Sequence, residues 1–321
     1  NYILSNVKLK RFKWFDTGTN ESYLETLNFF NDNTLRKPNA CTYIGNKKVI
    51  KFFTDKSKVQ KLKNRSKYLN EFAPKSVNAK SHYFFYNFAE GKLLSELKIN
   101  DFIYLIDEMH NKFWKNKKNI NMKFFKKNCL NFYKKKTITR INSLLYQRIV
   151  NDNLKFINNY KVPKINTLLK RINWNNLTSG IPSNFHGDFQ PENIIIKDKK
   201  ITLIDWREDF DGNENVGDVY YDFAKLDHAL LVNGEIIRKK KYNVKISKTN
   251  VNYIIGTKKN LINFQNYFHK YLAKNGYDLY KVKLLSSLIY LNIATLHDYP
   301  YNELLFYHGK LSLTKTLNGD L

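Results

Sequence analysis

The spacing of apolar and polar positions divides this chain into two unequal parts. Before about residue 93 it has the short period of strands. Lys48 to Phe53 follows a Gly45-Asn46 turn, and Tyr83 to Phe88 is a largely aromatic run leading into Ala89-Glu90-Gly91. Beyond it the helical period takes over. Phe102, Leu105, Ile106, Met109 and Phe113 recur three and four residues apart, which predicts a helix with one stripe turned to a core. Ile138 to Ile157, Val219 to Leu231, Leu261 to Ala273 and Lys281 to Leu296 read the same way. One stretch in this half keeps the strand pattern. Ile194 to Lys197 and Ile201 to Ile204 are mostly β-branched or apolar and flank Asp198-Lys199-Lys200, which predicts a hairpin. Pairing centred on Lys199 sets Lys197 opposite Ile201, and Asn193 opposite Asp205 at the open end.

The string from His186 to Asp205 reads H-G-D-F-Q-P-E-N-I-I-I-K-D-K-K-I-T-L-I-D. An Asn193 amide oxygen and an Asp205 carboxylate, five or more residues beyond the carboxylate of Asp188, make a hard oxygen site suited to magnesium, which keeps waters and takes one or two protein ligands. One Asp to orient an attacking hydroxyl, with an Asn and a second Asp on the metal, is the construction of a phosphoryl-transfer site. Asp and Asn are also common turn residues, and H-G-D alone is compatible with a loop without chemistry. The whole string with its hairpin is far more specific than any part.

His186-Gly187-Asp188, Asn193, Ile204-Asp205-Trp206 and Gly217-Asp218-Val219-Tyr220-Tyr221-Asp222-Phe223-Ala224 resemble the H-G-D-x-x-x-x-N, I-D-W and G-D-x-x-x-D-L-A motifs of the aminoglycoside phosphotransferase and choline kinase superfamily. The resemblance implies an α+β, two-lobed, protein-kinase-like fold with a small antiparallel-sheet N-lobe and a larger, mainly helical C-lobe. It implies residues 35–92 as the ATP-binding lobe, and residues 93–321 as the lobe with the catalytic loop, the metal site and the acceptor site. Asp188 would then be the catalytic base or hydroxyl-positioning residue, His186 a loop-organising residue beside it, and Asn193 and Asp205 the ligands of Mg2+. Asp222, early in an apolar segment, reads as a helix-start carboxylate or a buried brace for the catalytic loop. Lys51 would meet the phosphates of ATP, and backbone groups of Tyr86, Asn87 and Phe88 its adenine. Two features depart from the family pattern. Arg36 to Thr42 contains no glycine where a phosphate loop is expected, and Lys56 to Asn70 has no carboxylate to pair with Lys51.

Residues 1–34 carry a second resemblance. Trp14-Phe15-Asp16-Thr17-Gly18-Thr19-Asn20-Glu21-Ser22-Tyr23 is similar to the W-x-D-x-G-T-x-x-x-Y segment near the end of sugar-phosphate nucleotidylyltransferases. It implies the trailing end of such a domain, with Asp16 idle, and a fused or associated nucleotidylyltransferase. A kinase beside that activity would feed a nucleotide-activated precursor for a surface glycan.

Composition bounds the remaining classes. The chain has 321 residues and is 42% hydrophobic, enough for a full core. Its longest apolar candidate, Leu284 to Leu296, is interrupted by Ser286, Ser287, Asn292 and Thr295, so no transmembrane segment is expected. Two cysteines, Cys41 and Cys129, are too few for a disulfide framework and agree with a cytoplasmic setting. The net charge of +27 includes runs such as Lys134-Lys135-Lys136 and Arg238-Lys239-Lys240-Lys241. A basic nucleic-acid or membrane-binding module is the reading that charge favours, but lysine is spread over the whole chain and no nucleic-acid module accompanies it, so a solvated surface is preferred. A catalytically silent kinase-fold scaffold is the reading favoured by the missing glycines. The expected substrate is a small-molecule hydroxyl, on a choline- or ethanolamine-like amino alcohol or on a sugar or polyol. Candidates to hold it are Trp206, Tyr220 and Tyr221, as a cation–π cage, with Glu208, Asp209 and Asp211.

Overall fold

The computed structural model describes residues 34–37 and 40–320, so the segment Trp14 to Tyr23 lies outside the described residues. A five-stranded antiparallel sheet comes first, in the order Thr34–Lys37, Ala40–Gly45, Lys48–Phe53, Tyr83–Asn87, Asn78–Lys80. The turn at Asn46 and Lys47 (φ 49° and 59°) joins the second and third strands and sets Thr42 opposite Lys51. Helix Lys56–Ser66 follows, started by the Asp55 carboxylate accepting from Ser57 N–H at 2.8 Å. It turns Val59, Leu62 and Arg65 inward.

The larger part is mainly helical. Ile99–Glu108 carries the stripe Phe102, Leu105 and Ile106, and a π-helical turn extends it to Phe113. Helices Val219–Leu231, Leu279–Ile293 and Tyr301–Asn318 pack together as the centre of this part, and Lys259–Lys274 covers Val219–Leu231. The expected small antiparallel sheet followed by a larger helical part is therefore the observed architecture. The window Leu279–Leu296 is long and apolar enough to cross a membrane by length and composition, contrary to the sequence reading, yet 61% of it is buried inside the protein. It is the core helix of the larger part.

Two segments differ from their periodicity. Ile138 to Ile157 is not one helix: Lys136–Tyr146 ends before Arg148, which adopts φ 54°, and Phe156–Ile157 is a strand. That strand joins Tyr160–Lys161 and the hairpin Tyr242–Ile246 and Asn250–Ile255 in a four-stranded sheet.

Candidate active site

The expected hairpin forms, but one residue out of register. Asp198 and Lys199 both take left-handed backbone (φ 49° and 62°), so the turn has two residues, pairing Lys197 with Lys200 and Ile194 with Leu203. Asn193 therefore faces Ile204, whose N–H donates to the Asn193 carbonyl at 2.9 Å, and not Asp205. A slip of one residue sends side chains to the other face. Asp205 leaves the strand conformation at φ 59°, and its carboxylate is ion-paired with Lys51 of the N-terminal sheet.

The strand Lys92–Leu93 adds to the hairpin, with Leu93 opposite Ile195 and Lys92 opposite Ile196. Gly91 permits this approach. Its φ is 138°, and a Cβ there would lie 2.7 Å from the Ile196 carbonyl oxygen. Glu90 and Lys197 form an ion pair at 2.6 Å across the same junction.

Asp222 holds the loop that carries Asp188. Its carboxylate accepts from the N–H of His186 at 2.8 Å, of Gly187 at 2.7 Å and of the Trp114 indole at 3.2 Å. Asp222 thus lies in the first turn of Val219–Leu231 and also grips the loop. Burial raises its pKa to about 6 against the lowering influence of those N–H groups. Gly187 has φ 81°, and a Cβ there would strike Arg207 Cβ at 2.5 Å. The His186 ring is buried between Ile204 O, 2.9 Å from Nε2, and the Asp188 N–H, 3.2 Å from Nδ1. These bonds require a neutral ring protonated on Nε2, in keeping with burial pushing its pKa down to about 4.

The two oxygens of Asp188 face different partners. Lys225 Nζ lies 2.7 Å from Oδ1, while Asn193 Nδ2 donates to Oδ2 at 3.1 Å and to the Asp188 carbonyl at 2.9 Å. Burial works against the Asp188 charge, but Lys225 outweighs it and holds the carboxyl below its ordinary value. Asp188 is therefore an anion at neutral pH, with 34% of its side chain still open. The Asn193 Oδ1 makes no hydrogen bond among the described residues, leaving an amide oxygen beside Asp188 for a cation. The Asp205 side chain is 40% exposed. No group of three His, Cys, Asp or Glu among the described residues could hold a metal. An amide oxygen and a carboxylate are donors of the kind magnesium takes, although Asn193 and Asp205 are not opposite one another on the hairpin and the Asp205 carboxylate is turned to Lys51.

Helix Lys56–Ser66 meets this region through cations. Lys58 lies 3.6 Å from Glu208, and Lys61 lies 2.8 Å from Asp209. Arg65, fully buried, donates to the carbonyls of Phe185, Arg207 (3.1 Å) and Glu214 (2.9 Å) and stacks 3.7 Å over the Phe185 ring. The sequence reading missed Arg65 and Lys225. Each had a signal: Arg65 continues the Val59, Leu62 stripe, and Lys225 stands three residues after Asp222 on an apolar helix.

Other expectations need correction. Asn87 N–H donates to Lys75 O at 2.9 Å and Phe88 N–H to Lys47 O at 2.8 Å, so these donors are already bound within the fold rather than open to adenine. The Tyr86 ring is core, 3% exposed. The proposed acceptor cage does not form. Trp206 is buried edge-on against Phe84 and donates its indole N–H to Leu62 O at 3.0 Å. Tyr220 accepts the Asp278 N–H, and Tyr221 packs against Phe132 and Tyr133. Glu208 and Asp209 face the lysines of helix Lys56–Ser66, and Asp211 accepts from the Asn131 amide at 2.9 Å.

No protein-family model matches the chain, and no curated protein does. Solved structures similar to it include the GDP complex of an aminoglycoside 2'-phosphotransferase-IIIa, at 12% identity over 94% of this chain and 100% of that one, with a TM-score of 0.48. An ethanolamine kinase from Plasmodium vivax is 13% identical over 93% of this chain and 89% of that one, TM-score 0.47. The ternary complex of a thermostable aminoglycoside phosphotransferase APH(4)-Ia with AMP-PNP and hygromycin B is 12% identical over 89% and 92%, TM-score 0.49.

Proposed function

We propose that this chain is an ATP- and magnesium-dependent phosphotransferase acting on a hydroxyl of a small molecule. The observation that carries the reading is the environment of Asp188: an ionised, partly open carboxylate next to the free amide oxygen of Asn193, on a loop fixed by Asp222. Asp188 orients the acceptor hydroxyl and takes its proton as the hydroxyl oxygen attacks the γ-phosphorus. The new O–P bond forms, the bond to the β-phosphate oxygen breaks, and ADP leaves. Asn193 and Asp205 would hold magnesium, which neutralises phosphate charge when bound. Lys51, paired with Asp205, is the cation from the N-terminal sheet that the nucleotide phosphates would meet. His186 keeps its neutral ring as a spacer between Ile204 and the Asp188 N–H. Orientation and fixed charge supply most of the acceleration in such a reaction.

The similarity at Trp14 to Tyr23 supports a setting beside a nucleotidyl transfer, where the phosphomonoester product would be activated. A silent scaffold of the same fold is the second reading, favoured by the absence of glycine from Arg36 to Thr42. Calorimetry separates them. Magnesium-dependent binding of ATP is expected, with Asp188→Ala retaining it while losing ADP release in the presence of an acceptor. No heat of ATP binding at millimolar magnesium would leave the scaffold reading standing instead.

A further inference from the structure

Resting on the phosphotransferase reading, we propose that the acceptor is an anionic alcohol, carrying a carboxylate or phosphate near its hydroxyl, and that Lys136, Arg140 and Arg207 hold that anion beside Asp188.

Asp188 Oδ2 faces Asn193, on the side expected to face magnesium, while Oδ1 faces Lys225. Lys136 has Arg207, Arg140 and Lys225 as its charged neighbours, with Glu208 the acid among them. Lys136 Nζ sits 4.1 Å and Arg207 Cζ 4.9 Å from the centre of the same Phe132 ring. The Arg207 side chain runs along Gly187, where an added Cβ would be 2.5 Å from Arg207 Cβ and 3.2 Å from its Cδ. The cluster therefore reaches, through the Arg207 stem, the residue preceding Asp188.

Among the described residues Lys136, Arg140 and Arg207 make no ion pair, since Asp188 is engaged by Lys225 and Glu208 lies 3.6 Å from Lys58. Arg207 Nε is buried without a hydrogen-bond partner. Arg140 donates one N–H to Asn292 O at 3.2 Å. Burial and then the neighbouring cations push the Lys136 pKa down to about 6, so the amine is largely uncharged at neutral pH until an anion beside it restores its proton. Half-buried like charges destabilise one another unless an anion joins them, and the same field repels a cationic acceptor. On the phosphotransferase reading the ATP phosphates would sit by Lys51, the lysine paired with Asp205, and so would not be the anion that this cluster holds.

The test is calorimetric titration of D-glycerate, glycerol 3-phosphate, glycerol and choline into the full chain saturated with magnesium and a non-hydrolysable ATP analogue. At least one of the two anions should bind tenfold or more tighter than glycerol, with choline giving no heat. Lys136→Gln and Arg207→Gln should each weaken the anion at least tenfold while leaving binding of the ATP analogue unchanged. Sulfate should compete with the bound anion in the wild type, an arm that stands even where a variant melts early. Equal binding of glycerol and both anions, an anion preference that survives in both folded variants, or heat from choline would overturn the proposal. Failure of the ATP analogue to bind would instead overturn the phosphotransferase reading beneath it.

Discussion

Asp222→Asn replaces one carboxylate oxygen by NH2 at a site where three N–H groups converge. One oxygen cannot serve both sides of that carboxylate. The new NH2 faces either the Gly187 N–H or the pair from His186 and Trp114, leaving one or two buried donors unpaired at about 1–3 kcal/mol each. An opposing effect comes from charge. Wild-type Asp222 is shifted from 3.8 to about 6, so ionising it in the fold costs about 3 kcal/mol. For a carboxyl with a raised folded pKa, the stabilisation is complete below the unfolded value and is lost as pH rises through the folded one. The wild type thus loses stability between about pH 4 and pH 6, and asparagine does not. At pH 7.5 the two effects nearly offset, so the variant should unfold in urea within about 2 kcal/mol of wild type. At pH 4.5 it should be clearly less stable. Turnover should fall about 100-fold at both pH values, because the loop carrying Asp188 has lost its anchor and small misplacements are expensive in phosphoryl transfer. Wild-type turnover together with an unchanged stability difference between the two pH values would refute the brace.

Three further substitutions probe the site. Lys225→Gln removes the group that keeps the Asp188 carboxyl low, so the acid limb of the kcat/KM profile should move to higher pH; an unmoved limb would separate Lys225 from the titration of Asp188. Arg65→Met strips three carbonyls of a buried donor and should cost about 3–5 kcal/mol in urea unfolding, with Arg65→Lys recovering little, because one ammonium cannot reproduce the planar fork. Full rescue by lysine would show that charge alone matters there. Lys51→Met should weaken magnesium-dependent ATP binding by tenfold or more in calorimetry, while unchanged affinity would place the phosphates elsewhere.

The division into a sheet part and a helical part was legible because period two and period 3.6 are written in residues such as Val49, Tyr86, Phe102 and Ile106. The hairpin was legible as well, but its register was not. The Asp198-Lys199-Lys200 string fits a two- or a three-residue turn equally, and only the left-handed backbone at Asp198 and Lys199 decides between them. The loop residues His186, Asp188 and Asn193, and Asp222 that grips them, stood out by type and spacing. The acceptor candidates failed for a different reason: an aromatic residue is equally at home in a core and in a cage, and packing against Phe84 or Phe132 is a tertiary fact. Arg65 and Lys225 were passed over because a cation in a chain with 55 of them carries little information by itself.

That abundance also explains how helix Lys56–Ser66 does without an acid. The stretch from Asp205 to Glu214 contains five of the chain's 28 acidic residues. Lys51, Lys58 and Lys61 reach its side chains and Arg65 reaches its backbone. The N-terminal part thus supplies the cations and the segment after the hairpin supplies the anions. The ties differ in exposure. The side chains of Lys58 and Lys61 are each 37% exposed, whereas that of Lys51 is 10% exposed and Arg65 is fully buried. Salt screens exposed pairs far more than buried ones. Raising ionic strength should therefore loosen the outer end of the helix while leaving the Lys51 and Arg65 contacts in place, so Asp205 stays paired with Lys51 when the peripheral pairs are lost.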